Sequence, residues 1–578
     1  MATVGEGRAR ALSGGAAGLF WAAAALASWG AQAQGVAAPT AGATLERVRE
    51  AAPDPARAPL PTAAVPGAPT PVAGLPPGER FTLRDVALEG ATLFARDALE
   101  PFWVDRIGAE IGLAEAAEIA ASVQAFYRAE GYVFTRVVAA RPASRPDALR
   151  LIVVEARITA VSVEAAEGSL GPARALLERL AAPLLGLENP TLADLERVTL
   201  LMNDAPGVVR ATVAPRPGED GAGSVALTFN ATRDVVSGAL FLDTRQQPAF
   251  GEGVAGAFLE AGALGPGGET LSVTFSNTFW DGVDDFEERS ILEAVASRHV
   301  GAYGTRAFLR LLGSRLRPGD ALEPLDLEGR EREIEFGVEH PAIRTRRLSL
   351  WARAGVEALD DRLAFRATGE TVSEDRLRVF YVEAEALSRD PAGYSAATLG
   401  VRRGLDVFGA SNSGDARLSR LDADPQAAVL YGSVEREQAL AWGFALFGEA
   451  AGQVASAPLP GGEEFALGGT TFGRGYDPSQ AVGDHGFGAT IELRRREDFE
   501  IAARRVDAEV YGFGDFGRVW SAGDGVPAKA DLASYGVGVR AFVEGALFIG
   551  AEIARPVEDL RRTNSDDLRF FVTAQRRF

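Results

Sequence analysis

The chain has no cysteine in its 578 residues, so neither disulfides nor thiolate chemistry is open to it. Histidine is nearly as scarce, with only His299, His340 and His485, scattered along the sequence. A histidine-built metal site or catalytic triad therefore lacks candidates, and each histidine reads as a loop or surface residue. Beyond the N-terminal segment no stretch approaches the roughly 18 uninterrupted apolar residues of a helical membrane span. Positive charge is in deficit, with a formal net charge of -20, which argues against the basic footprint of a nucleic-acid binder. Walker, G-x-S-x-G and metal-ligand patterns are missing too. Gly409-Ala-Ser-Asn-Ser-Gly414 is only superficially like a nucleophile elbow and reads as a loop. No enzyme, cofactor or metal is expected.

What is present begins with a targeting signature. Arg8 and Arg10 precede an apolar run from Ala16 to Trp29, followed by Ala31-Gln32-Ala33. A basic start, a short apolar stretch and an A-x-A site make a secretory signal peptide over 1–33. Thr44 to Ala52 carries helix formers with charges at helical spacing, giving a short helix candidate within 34–52. Pro53 ends it, and nine prolines between Pro53 and Pro77 make 53–80 an extended linker.

Two similar units follow. Phe81 to Leu88 alternates like a strand and ends at Gly90, helix-like text follows, and Leu113 to Glu130 reads as the clearest helix, with Ile119, Val123 and Phe126 on one face. Gly131 stops it, and strands over Tyr132–Ala140 and Ala148–Glu155 complete a β-α-α-β-β order. The order repeats in a strand at Ile158–Val163, helices at Pro172–Ala182 and Leu192–Asn203, and strands at Val208–Ala214 and Ser224–Asn230. Asn203, Pro206 and Gly207 read as helix-end and turn residues. Small sheets have edges that can accept an extended polypeptide by strand addition.

From about Val236 the text changes to short alternating runs separated by Gly, Asp, Pro and Asn. Phe487, Ala489, Ile491 and Leu493 oppose Thr490, Glu492 and Arg494, and Val506, Ala508 and Val510 oppose Asp507, Glu509 and Asp515. A soluble sandwich shows the same pattern. Two features favour a membrane barrel instead. The chain ends in an alternating strand with Phe570, Val572, Ala574 and the terminal Phe578 on one face, Arg576 departing from it. Glutamates and arginines also recur on the polar face, as in a water-filled lumen. A closed barrel is the only sheet that spans lipid with every backbone group paired.

Signal peptide, short helix, Pro-rich linker, two β-α-α-β-β units and a terminal barrel together resemble the two-partner secretion transporters, the haemolysin-secretion and filamentous-haemagglutinin transporter family. The text that carries the resemblance is Leu459 to Gly469, Arg474-Gly475-Tyr476-Asp477, Gly483-Asp484-His485-Gly486, the Phe513-Gly514-Asp515 strand, Gly404-Leu405 to Ser419-Arg420 and Asn203 to Gly207. Gly473 departs from the pattern, since an aliphatic residue usually precedes the arginine. The resemblance implies two POTRA domains at 81–155 and 156–230 in the periplasm, and a 16-stranded outer-membrane barrel over 231–578. It implies that the Arg474 loop tucks into the lumen, where strand parity puts Asp515. An Arg474–Asp515 pair then holds the loop inside, the alternative being two solvated lumen charges. It also implies that the segment 34–52 plugs the pore, and that Phe578 is the end read during membrane assembly. The expected partners are a large exoprotein (adhesin or haemolysin-like) as unfolded cargo, outer-membrane lipid, and the barrel-assembly machinery for insertion. An insertase of the same superfamily, a passive solute channel, and a soluble, secreted adhesin or other β-rich binding protein are the other readings.

Overall fold

The computed structural model describes residues 72–76, 78–251, 253–279, 289–523, 529–543, 547–557 and 568–578. The expected signal peptide, plug segment and most of the linker lie outside the described residues. Two α/β modules stand at one end of a closed barrel.

The first module contains β1 (Val72–Ala73), β2 (Phe81–Thr82), β3 (Asp85–Glu89), α1 (Arg96–Leu99), β4 (Glu110–Ile111), α2 (Leu113–Ala129), β5 (Arg136–Ala140) and β6 (Ala148–Val154). Its sheet runs β1-β5-β6-β3, with β2 and β4 paired apart from it. Leu83, Val86, Trp103, Val123, Tyr127 and Leu151 fill the core between sheet and helices. Two expectations are corrected. The linker does not run to residue 80, because Val72–Ala73 pairs in parallel with β5 and Leu75 is buried in the module. The strand expected over Phe81–Leu88 is two strands, split where Leu83 turns into the core.

The second module contains β7 (Arg157–Ala165), α3 (Ala173–Ala181), α4 (Leu192–Asn203), β8 (Val208–Pro217) and β9 (Ser224–Arg233), with sheet order β7-β9-β8. Thr191 caps α4: its hydroxyl accepts from the Asp194 N–H while the Asp194 carboxylate accepts from the Thr191 N–H at 2.8 Å. Ile158, Leu176, Leu180, Leu195, Val198 and Phe229 make its core, and Phe134 of the first module packs against it.

The barrel follows within three residues. Its strands are β10 (Val236–Asp243), β11 (Gly253–Ala261), β12 (Thr270–Phe279), β13 (Arg289–Val300), β14 (Thr305–Leu316), β15 (Leu327–Arg344), β16 (Leu348–Phe365) and β17 (Thr371–Asp390). They continue as β18 (Gly393–Gly404), β19 (Ala428–Ala439), β20 (Phe444–Ala455), β23 (His485–Ile501), β24 (Arg504–Trp520), β25 (Lys529–Val543), β26 (Leu547–Pro556) and β27 (Arg569–Arg577). Each pairs antiparallel with its neighbour, and β10 pairs with β27 to close the ring. The short β21 (Phe465–Leu467) and β22 (Ala481–Gly483) pair only with each other. Among the described residues no helix is long and apolar enough to cross a membrane. The barrel's outer face is apolar instead, with Leu309, Phe336, Val356, Phe380, Val401, Ile491 and Val537 all exposed. Glu333, Glu335, Glu492, Glu509 and Asp515 point inward.

Candidate functional site

Residues 456–484 leave the barrel rim farthest from the modules and turn back inside it. The β21–β22 hairpin and the turn beyond it place Leu467, Phe472 and Tyr476 against Val519 and Leu532 of the wall. The wall yields room through glycine. A Cβ on Gly486, Gly488 or Gly517 would collide with Phe465, Phe472 or Leu467 respectively. Sequence reasoning missed this seat, although glycines on the inward parity of β23 and β24 were a readable signal for it.

At the tip lies Arg474, 2% exposed. Its Nη2 donates to Asp515 Oδ1 at 2.9 Å and to Thr490 Oγ1 at 2.8 Å. Its Nη1 donates to Glu492 at 2.6 Å and to Glu552 at 3.3 Å. The guanidinium also stacks on the Phe513 ring, 3.5 Å from its centroid. Asp515 receives the Arg474 backbone N–H at 3.0 Å and the hydroxyls of Thr490 and Ser534 at 2.7 and 2.9 Å. The planar fork of arginine suits such multiple carboxylate contacts. Further guanidiniums complete the charge balance: Arg494 and Arg540 reach Glu492, and Arg245 reaches Glu552 at 2.8 Å. Sequence reasoning named Asp515 alone and did not find Glu492, Thr490 or Glu552 as partners: Thr490 and Glu492 meet Asp515 through the residue-by-residue register of β23 on β24, and Glu552 lies two strands away on β26.

The neighbours of Arg474 explain its fit. Gly475 abuts the backbone of Arg555 and Pro556, where a Cβ has no room. Gly473 has φ +86°, a conformation a branched aliphatic residue resists, so the departure from the family pattern matches the backbone found here. Tyr476 is fully buried and its hydroxyl donates to the Ala533 carbonyl at 3.1 Å. Asp477 pairs with Arg569 of β27. Asp484, at the return end of the loop, is 0% exposed and accepts from Arg420 at 2.7 Å and from the N–H groups of Leu459 and Ala522 at 2.6 and 2.7 Å. One carboxylate thereby ties three loops together.

Asn203, Pro206 and Gly207 lie elsewhere, where the second module meets the barrel. The Asn203 side chain bonds both the N–H and the carbonyl of Ala211, each at 2.9 Å, fastening α4 to β8. Pro206 and Gly207 press against the backbone of Gly262, leaving no space for a Cβ at Gly207. Beside them Arg344 forms a two-pronged pair with Asp204 at 2.6 and 2.5 Å, and Arg346 pairs with Glu196 at 3.2 Å. Phe578 exchanges backbone hydrogen bonds with Gly238 at 3.0 Å, and its ring lies over that glycine on the outer face of the closing seam. Among the described residues no cluster of His, Asp and Glu could hold a metal ion.

A closed sixteen-strand barrel, apolar outside and charged within, with a buried loop and two α/β modules at one mouth, defines the class of outer-membrane transport barrels with POTRA domains. The family profile of the haemolysin secretion/activation proteins ShlB/FhaC/HecB matches residues 318–541, and that of the ShlB-type POTRA domain matches residues 81–156. Together these take in just over half of the chain, and the chain belongs to this family of two-partner secretion outer-membrane translocators. No curated protein matches it in sequence. In fold it is similar to CdiB from Escherichia coli, with a TM-score of 0.70 at 17% identity over 98% of this chain and 99% of that one. It is also similar to CdiB from Acinetobacter baumannii, with a TM-score of 0.58 at 15% identity over 87% of this chain and 91% of that one. BamA from Haemophilus ducreyi lacking POTRA domains 1–3 matches with a TM-score of 0.51 at 11% identity, over 86% of this chain and all of that one.

Proposed function

We propose that the chain exports one large exoprotein across the outer membrane, taking it unfolded from the periplasm and passing it through the barrel. The modules then lie in the periplasm, and the far rim faces outward. The observation that carries this reading is the Arg474 loop, held inside the lumen by charge pairs rather than by a covalent link. Such a loop fills the pore at rest and can shift without breaking the barrel. The module sheets offer edges for extended cargo, and the clasp of Asp204 on Arg344 sets the second module at the mouth. Directionality comes from folding of the exoprotein outside, since this reading uses no nucleotide.

The test compares culture-medium proteins and outer-membrane profiles from cells with and without the chain. The expected outcome is loss of one large secreted protein with the membrane profile intact. Broad loss of barrel proteins would instead indicate assembly of other barrels, and altered solute uptake alone would indicate a passive channel.

A further inference from the structure

Several arginines outside the lumen network gather on the outer face of the barrel at one height. Outward positions on β14 to β17 are apolar through Leu311, Ile334, Val356 and Phe380, then change toward the far rim. There Arg315, Arg330 and Arg362 stand directly opposite one another on β14, β15 and β16. In the next row Asp360 stands opposite both Arg332 and Arg376. Like charges facing across strands are destabilising unless something anionic joins them. Glu328 serves both Arg315, at 2.7 Å, and Arg330, at 2.5 Å, and Glu374, opposite Arg362, is itself 2.8 Å from Arg376, so guanidiniums outnumber carboxylates here.

The wall is also dented at this place. Gly313 forms part of its floor, and a Cβ there would meet nothing within 4 Å. A hollow of about 420 Å³ opens on the outer face, with Phe275 and Leu292 on its apolar side and Arg315, Arg330 and Arg332 on the other; Glu331, between the last two, is buried and lies 4.0 Å from Arg289. Apolar wall, empty floor and guanidinium rim together match an amphiphile with a phosphate at its head.

We propose that this hollow binds the phosphorylated headgroup of an outer-leaflet lipid, with phosphate on Arg315, Arg330 and Arg332 and acyl chain along Phe275 and Leu292. Guanidinium forks recognise phosphate in two-pronged fashion, and the border of the apolar belt is where headgroups lie. The inference rests on the reading of the chain as an outer-membrane barrel.

The test is native mass spectrometry of the full chain in detergent with added bisphosphorylated lipid A, after the chain has been shown to fractionate with the outer membrane. Combined R315Q, R330Q and R332Q should weaken binding roughly tenfold or more, a loss of at least about 1.4 kcal/mol. G313L, which fills the floor without altering charge, should also weaken it, while R518Q, on another part of the barrel, should not. Dephosphorylated lipid should bind less well than its parent, and inorganic phosphate should not displace the lipid at equal concentration. Equal binding by wild type and both hollow variants overturns the inference, as does equal binding of dephosphorylated lipid. Displacement by inorganic phosphate overturns the lipid as occupant. A chain found outside the outer membrane overturns the underlying localisation instead.

Discussion

At the scale of single residues, Arg474 has the most to lose. One guanidinium serves Asp515, Glu492, Glu552 and Thr490, all inside the barrel wall. Removing one partner of a buried ion pair costs about 3–5 kcal/mol, because the other charge stays buried without it. R474A is therefore expected to unseat the loop, and protease added outside intact cells should cut within 468–480 at least roughly tenfold faster than in wild type. R474K should rescue only in part, since an ammonium lacks the fork that reaches Asp515 and Glu492 together. D515N should be milder than R474A, because its side-chain oxygen still accepts from the Arg474 N–H and the Ser534 hydroxyl. Full protection in R474K would show that charge alone seats the loop.

At the scale of elements, the two module sheets differ in how their edges are covered. The β5 edge carries Val72–Ala73, in register with Ala139 and Ala140. The β8 edge has Asn203 bonded to Ala211, and prolines at 215 and 217, both devices that limit strand addition. If cargo adds to β5, β1 must leave first. Cysteines introduced at Ala73 and Ala140, in a chain with no other cysteine, should block export when cross-linked and restore it when reduced; export by the cross-linked form would move cargo docking elsewhere. The alternation that marked the barrel strands was legible because lipid and lumen impose opposite polarity on successive residues, as at Phe487 to Arg494. The order of elements in the second module, and α2 with its stop at Gly131 in the first, were legible from helical spacing, whereas the two-residue strands β2 and β4 were too short to show a period. The β1 pairing was not, since two residues at the end of a Pro-rich run carry no period. Nor was the clasp between Asp204 and Arg344, which joins residues 140 positions apart and depends on how two finished domains meet.

At the scale of the whole molecule, pairing is unevenly distributed round the barrel. β15 and β16 pair along nearly their full length, from Leu327 with Phe365 to Arg344 with Ser349. The closing seam pairs Ala239–Asp243 with Thr573–Arg577, extended at its ends by the bonds of Phe578 to Gly238 and of Thr244 to Val572. Regions with fewer backbone bonds open at lower free energy, so amides of β10 and β27 should exchange with solvent faster than those of β15 and β16. The lumen loop braces this seam from inside: Asp477 holds Arg569 of β27, the Pro478 carbonyl takes Gln247 beyond β10, and Arg474 shares Glu552 of β26 with Arg245. Loop and seam are therefore coupled, and whatever unseats one loosens the other. In hydrogen exchange of the purified barrel, R474A should speed β10 and β27 roughly tenfold while leaving β15 and β16 unchanged, in keeping with a lost brace worth at least about 1.4 kcal/mol. Uniform acceleration round the barrel would mean that the substitution weakens the whole fold, and no acceleration at the seam would mean that the loop moves without it.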